Sequence, residues 1–255
     1  MHNPVITLTS DFGDRFAESQ LELVINSLNP SIKFIVAENN IHPFSINEGA
    51  FIISKFYSFA PLGSIHIGVV DPGVGSTRKG IIIKSGNYWF IGPDNGLLYP
   101  AANQDRIKEV YVIDESKLGS LSNTFHGRDI FAKVAAFISL RRPLLEYAIP
   151  HPISSVKTLI FIDNQVVHID PYGNIKLYAQ PNGFILGETI MVKKNEKQIY
   201  ATYCKTFADV HPGEYLLYNG SHQTLELAIN TGSAADQLGI KIEDVLQIQK
   251  LPKTI

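Results

Sequence analysis

The sequence predicts two domains: an α/β N-terminal domain with a mainly parallel sheet over residues 1–150, and an all-β, antiparallel, barrel-like C-terminal domain over 151–255. Three observations carry this. Apolar strand-like runs alternate with helix-period segments as far as Ile149-Pro150-His151-Pro152. Several of those runs are almost continuously apolar, as strands buried on both faces of a parallel sheet are. Beyond that point come short strands punctuated by Gly, Asn and Pro, with no long helical pattern. The 255 residues, 45% apolar and 18% charged, are ample for a substantial core.

The first strand is Val5 to Ser10, rich in β-branched residues and ending at Asp11-Phe12-Gly13-Asp14. Leu21, Leu23, Val24, Ile25 and Leu28 predict a helix closed by Asn29-Pro30, since proline cannot continue the hydrogen-bond ladder. Ile32 to Val36 is the next strand, and Ile46 to Tyr57 has helical spacing. Phe44, in the polar loop between them, is read as ordinary core ahead of a stacking wall for a flat ligand. Ser64 to Val70, with His66 its one strongly polar residue, is a buried strand that stops at Asp71. Pro72, Gly73 and Gly75 then force a turn that sets Asp71 near Arg78. That segment alone is either a surface turn closed by a salt bridge or a ligand-binding strand end of the kind open α/β sheets use.

Gly80 to Lys84 and Tyr88 to Ile91 flank Ser85-Gly86-Asn87 as a hairpin, and the second strand runs into Gly92-Pro93-Asp94-Asn95-Gly96, a third acidic strand end. Val110 to Ile113 is a short strand. Ile130 to Leu140 has the periodicity of an amphipathic helix and places His126 at its start. Free N–H groups there favour anions and depress the pKa of a nearby imidazole; the alternative is that Thr124 or Asp129 simply caps the helix. In the second domain the expected strands are 159–162, 166–169, 185–192, 199–203, 214–218 and 224–229, with a helical turn at 234–238.

Composition excludes several functions. A formal net charge of −2 without a Lys/Arg-rich run disfavours nucleic acid and anionic lipid as partners. The single cysteine, Cys204, excludes an intrachain disulfide and suits a reducing compartment. No apolar stretch approaches the roughly 20 residues of a membrane span, and no leader-like start is visible, so a cytoplasmic protein is expected. The eight histidines are scattered, without metal-ligand spacing, so no metal is expected. The nucleophile elbow, the full dinucleotide fingerprint and the P-loop lysine are all absent. An acid, an arginine and a histidine remain: Asp71, Arg78 and His126.

Ser10-Asp11-Phe12-Gly13, Val69 to Gly75, Gly92 to Gly96, Thr124 to Phe131, Asp170-Pro171-Tyr172-Gly173-Asn174 and Leu225 to Ala235 together resemble the S-adenosyl-L-methionine (SAM) hydroxide adenosyltransferase family, relatives of the SAM-dependent fluorinases and chlorinases. The resemblance runs in order along nearly the whole chain. It implies an enzyme that hydrolyses SAM to adenosine and L-methionine by attack of water or hydroxide on the 5′ carbon, with SAM as substrate and no cofactor. It also implies homotrimers whose active sites lie between one subunit's N-terminal domain and its neighbour's C-terminal domain. The family's Asp-Arg-His set falls on Asp71, Arg78 and His126. Asp11 matches the carboxylate that accepts both ribose hydroxyls, and Phe44 an aromatic against the nucleoside. Asp170 and Asn174 match the positions that take the methionine ammonium and the adenine edge. Ser221 aligns with a serine near the methionine carboxylate, and His222 stands where a related halogenase has arginine.

Two other functions compete. A halogenase would have Asp71 replaced and can carry a halide-binding serine at Gly127, whereas both residues are intact here. A non-catalytic SAM or adenosine binder would account for the departures at Asp14-Arg15-Phe16-Ala17, Lys176-Leu177 and Asn219-Gly220-Ser221-His222.

Overall fold

A computed structural model describes residues 3–120, 122–180, 183–222 and 224–251. Its contacts divide the chain into two compact units, Met1–Ile160 and Phe161–Ile255.

In the first unit seven strands, β1 (Val5–Ser10), β2 (Lys33–Glu38), β3 (Ile65–Val69), β4 (Gly80–Lys84), β5 (Trp89–Pro93), β6 (Glu109–Ile113) and β7 (Ala148–His151), form one sheet in the order β2-β1-β3-β5-β4-β6-β7. Pairs β1/β2, β1/β3 and β3/β5 are parallel; β5/β4, β4/β6 and β6/β7 are antiparallel. The sheet is therefore mixed, not mainly parallel as the sequence suggested. The cause is the predicted Ser85-Gly86-Asn87 hairpin: it folds β4 back along β5, so that β6 joins a strand running the opposite way. Ile149-Pro150-His151, where the texture of the sequence changes, lies in β7 at the edge of this sheet.

Helices cover both faces. Asp14 caps α1 (Arg15–Leu28) by accepting the Ala17 N–H at 2.8 Å, and Ser45 caps α2 (Ile46–Phe56). α1 and α4 (Lys133–Ser139) pack with Ile6, Leu8, Ile65 and Ile67 into one core. α2 and α3 (Tyr99–Gln104) take the other face. There Gly68 allows close approach: a Cβ would stand 2.9 Å from Leu98 and 3.0 Å from Ile53. His66 is a core histidine, stacked on Phe90 at 5.2 Å and hydrogen-bonded through Nδ1 to Thr7 Oγ1 at 2.8 Å. Burial pushes its pKa down to about 4.

The second unit is a seven-stranded sheet of β8 (Gln165–Ile169), β9 (Ile175–Tyr178), β10 (Thr189–Lys194), β11 (Lys197–Tyr203), β12 (Tyr215–Asn219), β13 (Leu225–Ile229) and β14 (Gln247–Lys250), in the order β14-β10-β11-β12-β13-β9-β8. Among the described residues, only the β11/β12 pair is parallel. The sheet curls into a half-barrel: Val245, two residues before β14, bridges to Gln165 of β8, and the Val166 N–H reaches the Asp244 carbonyl at 2.7 Å. Helix α5 (Ala234–Leu238) packs Ala234 and Leu238 into its core. The expected strand at 159–162 does not form; Ile160 and Ile162 are exposed and have no ladder to join.

Candidate active site

Asp71 follows the buried end of β3, and two features fix it. Asn95 donates from Nδ2 to the Val70 carbonyl at 2.8 Å, holding the chain just before the carboxylate. The turn then closes through Val74 N–H to the Asp71 carbonyl and Ser76 N–H to the Gly73 carbonyl, both 3.1 Å. Gly75 is required there: its φ is +76°, and a Cβ would meet the Asn123 carbonyl oxygen at 2.6 Å. The turn brings the Arg78 guanidinium onto the Asp71 carboxylate, with Nε 3.1 and 2.9 Å from the two oxygens and Nη2 2.5 Å from Oδ2. The Arg78 and Asp71 side chains are only 10% and 5% exposed.

His126 comes from the helical segment that follows β6. The segment expected as a regular amphipathic helix starts as a π-helical turn, Gly127–Ala132, that runs straight into α4, with His126 as its leading residue. The amphipathic pattern holds: Ile130, Phe131, Val134, Ala135 and Ile138 are buried between the sheet and α1, whereas Lys133 and Phe137 are half-buried and Leu140 is exposed. Neither Thr124 nor Asp129 supplies a cap at His126; Asp129 instead accepts the Ser122 N–H at 2.8 Å and pairs with Arg128.

Arg78 Nη2 lies 2.7 Å from His126 Nδ1. A guanidinium carries only donors, so Nδ1 must accept, and the neutral ring carries its proton on Nε2. Burial, and then the Arg78 charge, hold the imidazole's pKa below its ordinary value of 6.5. The guanidinium also lies over the Phe131 ring at 5.5 Å. Its remaining nitrogen, Nη1, is buried and has no hydrogen-bond partner among the described residues. Asp71, Arg78 and His126 thus form one cluster, as the sequence predicted, presenting an oriented donor beside a buried carboxylate.

Asp11 stands at the neighbouring strand end, its backbone N–H directed at the Val69 carbonyl at 3.4 Å. One carboxylate oxygen accepts the Phe44 N–H at 2.9 Å. Phe44 is not core: it is 70% exposed and held in a left-handed conformation, φ +69°. Phe12 packs edge-on against Phe125 at 5.7 Å and lies where a Gly127 Cβ would fall 3.1 Å from it, so the Asp11 loop abuts the His126 turn. Asp94, the third acidic strand end, has a structural part and accepts the Lys157 N–H at 2.8 Å.

In the second unit Asp170 and Asn174 are joined. Asp170 accepts the N–H groups of Tyr172 and Asn174 at 2.9 and 3.0 Å and the Asn174 side-chain amide at 2.9 Å. They line a cavity of about 620 Å³ with Tyr172, Phe207, Thr231 and Gly232. Ser221 and His222 do not line it; they pair with each other at 3.3 Å on an exposed turn. That turn rests on a buried network in which Glu226 takes the Lys176 ammonium and the Tyr218 hydroxyl, both at 2.7 Å. Gly220 lies so close that a Cβ would fall 1.8 Å from Glu226 Oε1.

Sequence reasoning missed Asn95, Tyr172 and Phe207. The first two lie inside motifs already singled out; Phe207 stands in an ordinary-looking loop. Among the described residues, no group of three or more His, Cys, Asp or Glu side chains is arranged to hold a metal ion.

Comparison with known proteins agrees across both units. Residues 6–148 match the SAM hydroxide adenosyltransferase N-terminal domain, and residues 164–247 the C-terminal domain of the same name. The (R)-S-adenosyl-L-methionine hydrolase of Salinispora tropica is 34% identical, covering 96% of this chain and 97% of its own. The protein of the same name from Methanocaldococcus jannaschii is 33% identical, covering 96% and 95%. A crystal structure of a conserved protein from Thermotoga maritima superposes with a TM-score of 0.88 at 29% identity, covering 96% of this chain and all of the other. Matched end to end in sequence and in fold, this chain belongs to the SAM hydroxide adenosyltransferase family.

Proposed function

We propose that the protein hydrolyses SAM to adenosine and L-methionine, an oxygen from water attacking the 5′ carbon. The observation that carries this reading is the Arg78 guanidinium, nearly buried, clamped by Asp71 and His126, with Nη1 left as a free donor. The C5′–S bond breaks with its electron pair going to sulfur, which becomes a neutral thioether and needs no proton. The C5′–O bond forms and water gives up one proton. The task for the protein is therefore to align a poorly hydrated oxygen and stabilise its developing negative charge. Water is a weak nucleophile with a pKa of ~15.7, and a guanidinium donor in a buried setting favours hydroxide character. Asp71, in contact with that guanidinium, takes the proton. His126 accepts from Arg78 and holds the guanidinium plane in place.

Substrate contacts follow the same division. Asp11 accepts the ribose hydroxyls, with Phe44 beside the nucleoside. Asp170 and Asn174 take the methionine ammonium and the adenine edge, and Ser221 with His222 meets the methionine carboxylate. The two sets meet in a homotrimer, one subunit's N-terminal unit facing its neighbour's C-terminal unit; the exposed aromatics Phe44 and Tyr172, 70% and 79% accessible, suit such burial. The reaction needs no cofactor and takes place in the cytoplasm. Halide transfer is disfavoured by Asp71, the residue a halogenase would have replaced, which stands intact and paired with Arg78.

The test is incubation of purified protein with SAM, followed by chromatography. Adenosine and methionine in equal amounts support the proposal. Binding by calorimetry without turnover makes the protein a SAM binder, and a 5′-halogenated adenosine appearing with added chloride or fluoride makes it a halogenase.

A further inference from the structure

A second cavity, of about 490 Å³, opens in the first unit at the amino ends of β1, β3 and β5. It lies at the far end of the sheet from the cluster above, roughly 20 Å along β3 from Asp71. Ile65, Ile138 and Leu144 give it an apolar floor, Trp89 a flat wall, and Arg141 and Arg142 a cationic rim. No carboxylate is among its lining residues.

The two arginines differ. Arg142 is occupied: it pairs with Glu146 at 2.9 Å and lies over the Phe137 ring at 4.1 Å. Arg141 has no ion pair or side-chain hydrogen bond among the described residues. It follows α4 in the left-handed position, φ +57°, while the Arg142 N–H closes back on the Phe137 carbonyl at 3.0 Å. This is the helix ending that glycine suits best, because a side chain there strains the backbone. An arginine stands where glycine is favoured and holds an uncommitted guanidinium at the rim of an apolar cavity.

We propose that this cavity is a binding site for a small organic monoanion, an aryl or branched-alkyl carboxylate whose apolar body packs between Trp89 and the isoleucine floor and whose carboxylate pairs with Arg141. The cavity is within the size range of small-molecule sites, which are largely apolar with a few orienting polar groups. The planar guanidinium fork matches a carboxylate in two parallel hydrogen bonds. The Lys84 ammonium lies over the indole at 5.5 Å, a contact that helps hold the ring in place.

Trp89 is the chain's only tryptophan, so its emission reads the cavity directly. The full-length protein is titrated with 3-phenylpropionate and with its uncharged match, 3-phenylpropan-1-ol. The acid is expected to change the emission saturably and to bind at least about tenfold more tightly than the alcohol. Arg141→Gly, which relieves the left-handed backbone, should melt no lower than the parent yet bind the acid about tenfold more weakly, and Arg141→Gln should lose the same affinity. The proposal is overturned if no saturable change occurs at millimolar concentrations, if acid and alcohol bind equally, or if both variants bind the acid as the parent does.

Discussion

Replacing Arg78 with lysine keeps a positive charge beside Asp71 while removing the guanidinium fork. Arg78 makes three hydrogen bonds to Asp71 and one to His126, and offers Nη1 besides. An ammonium on a flexible stem can meet one carboxylate oxygen but cannot also reach His126 and present a donor in a fixed direction. Loss of one oriented donor in a buried catalytic site costs about 10²–10³ in kcat, or roughly 3–4 kcal/mol of transition-state stabilisation. Stability should respond differently. Arg78→Lys keeps the buried charge paired, so Tm should fall by only a few degrees. Arg78→Met leaves the Asp71 carboxylate buried and alone, which costs about 3–5 kcal/mol and lowers Tm by roughly 10 °C for a chain of this size. Initial rates of adenosine release, alongside thermal melts of both variants, separate the two effects. If Arg78→Lys keeps its rate to within about threefold, Arg78 does not hold the nucleophile.

Three further outcomes follow from the structure. Glu226→Ala strands the buried Lys176 ammonium and should cost about 3–5 kcal/mol in chemical denaturation, an effect that Glu226→Ala combined with Lys176→Met should largely relieve; an unstable double variant would contradict this. His66 has a folded pKa of about 4 against an ordinary 6.5, so the unfolded chain takes up the proton first as pH falls. Stability is complete above the ordinary value and declines down to about pH 4, by about 3 kcal/mol in all; an equal decline in His66→Leu would refute that origin. Because His126 must stay neutral to accept from Arg78, and its pKa is lowered, kcat/KM should be flat through neutral pH and fall only on the acid side of 6.5. A limb centred above that value would refute the assignment.

Much of the first unit was legible because its signals are local. Near-continuous apolar runs ending at Asp11 and Asp71 mark parallel strands and their carboxyl ends, and the turn glycines announce where side chains can be brought together. The same rule could not separate Asp94, whose carboxylate holds the Lys157 N–H, from a site acid. Sheet direction is not legible because each strand is recognised from its own residues while its neighbour is chosen elsewhere; the hairpin is visible, its effect on β6 is not. The exposure of Phe44 is not legible because it depends on a backbone held by Asp11, 33 positions away. Contacts across long separations, Arg78 with His126 and Lys176 with Glu226, leave no periodic trace. Short strands such as β9 and β14, four residues each, fall below what alternation can register.

The central claim is that an oxygen of water, held by Arg78, becomes the 5′ hydroxyl of adenosine. Turnover of SAM in oxygen-18 water, with mass spectrometry of both products, tests it most directly. The structure predicts one heavy oxygen in each adenosine formed and none in methionine. Adenosine released without label, or label found in methionine instead, would contradict the account.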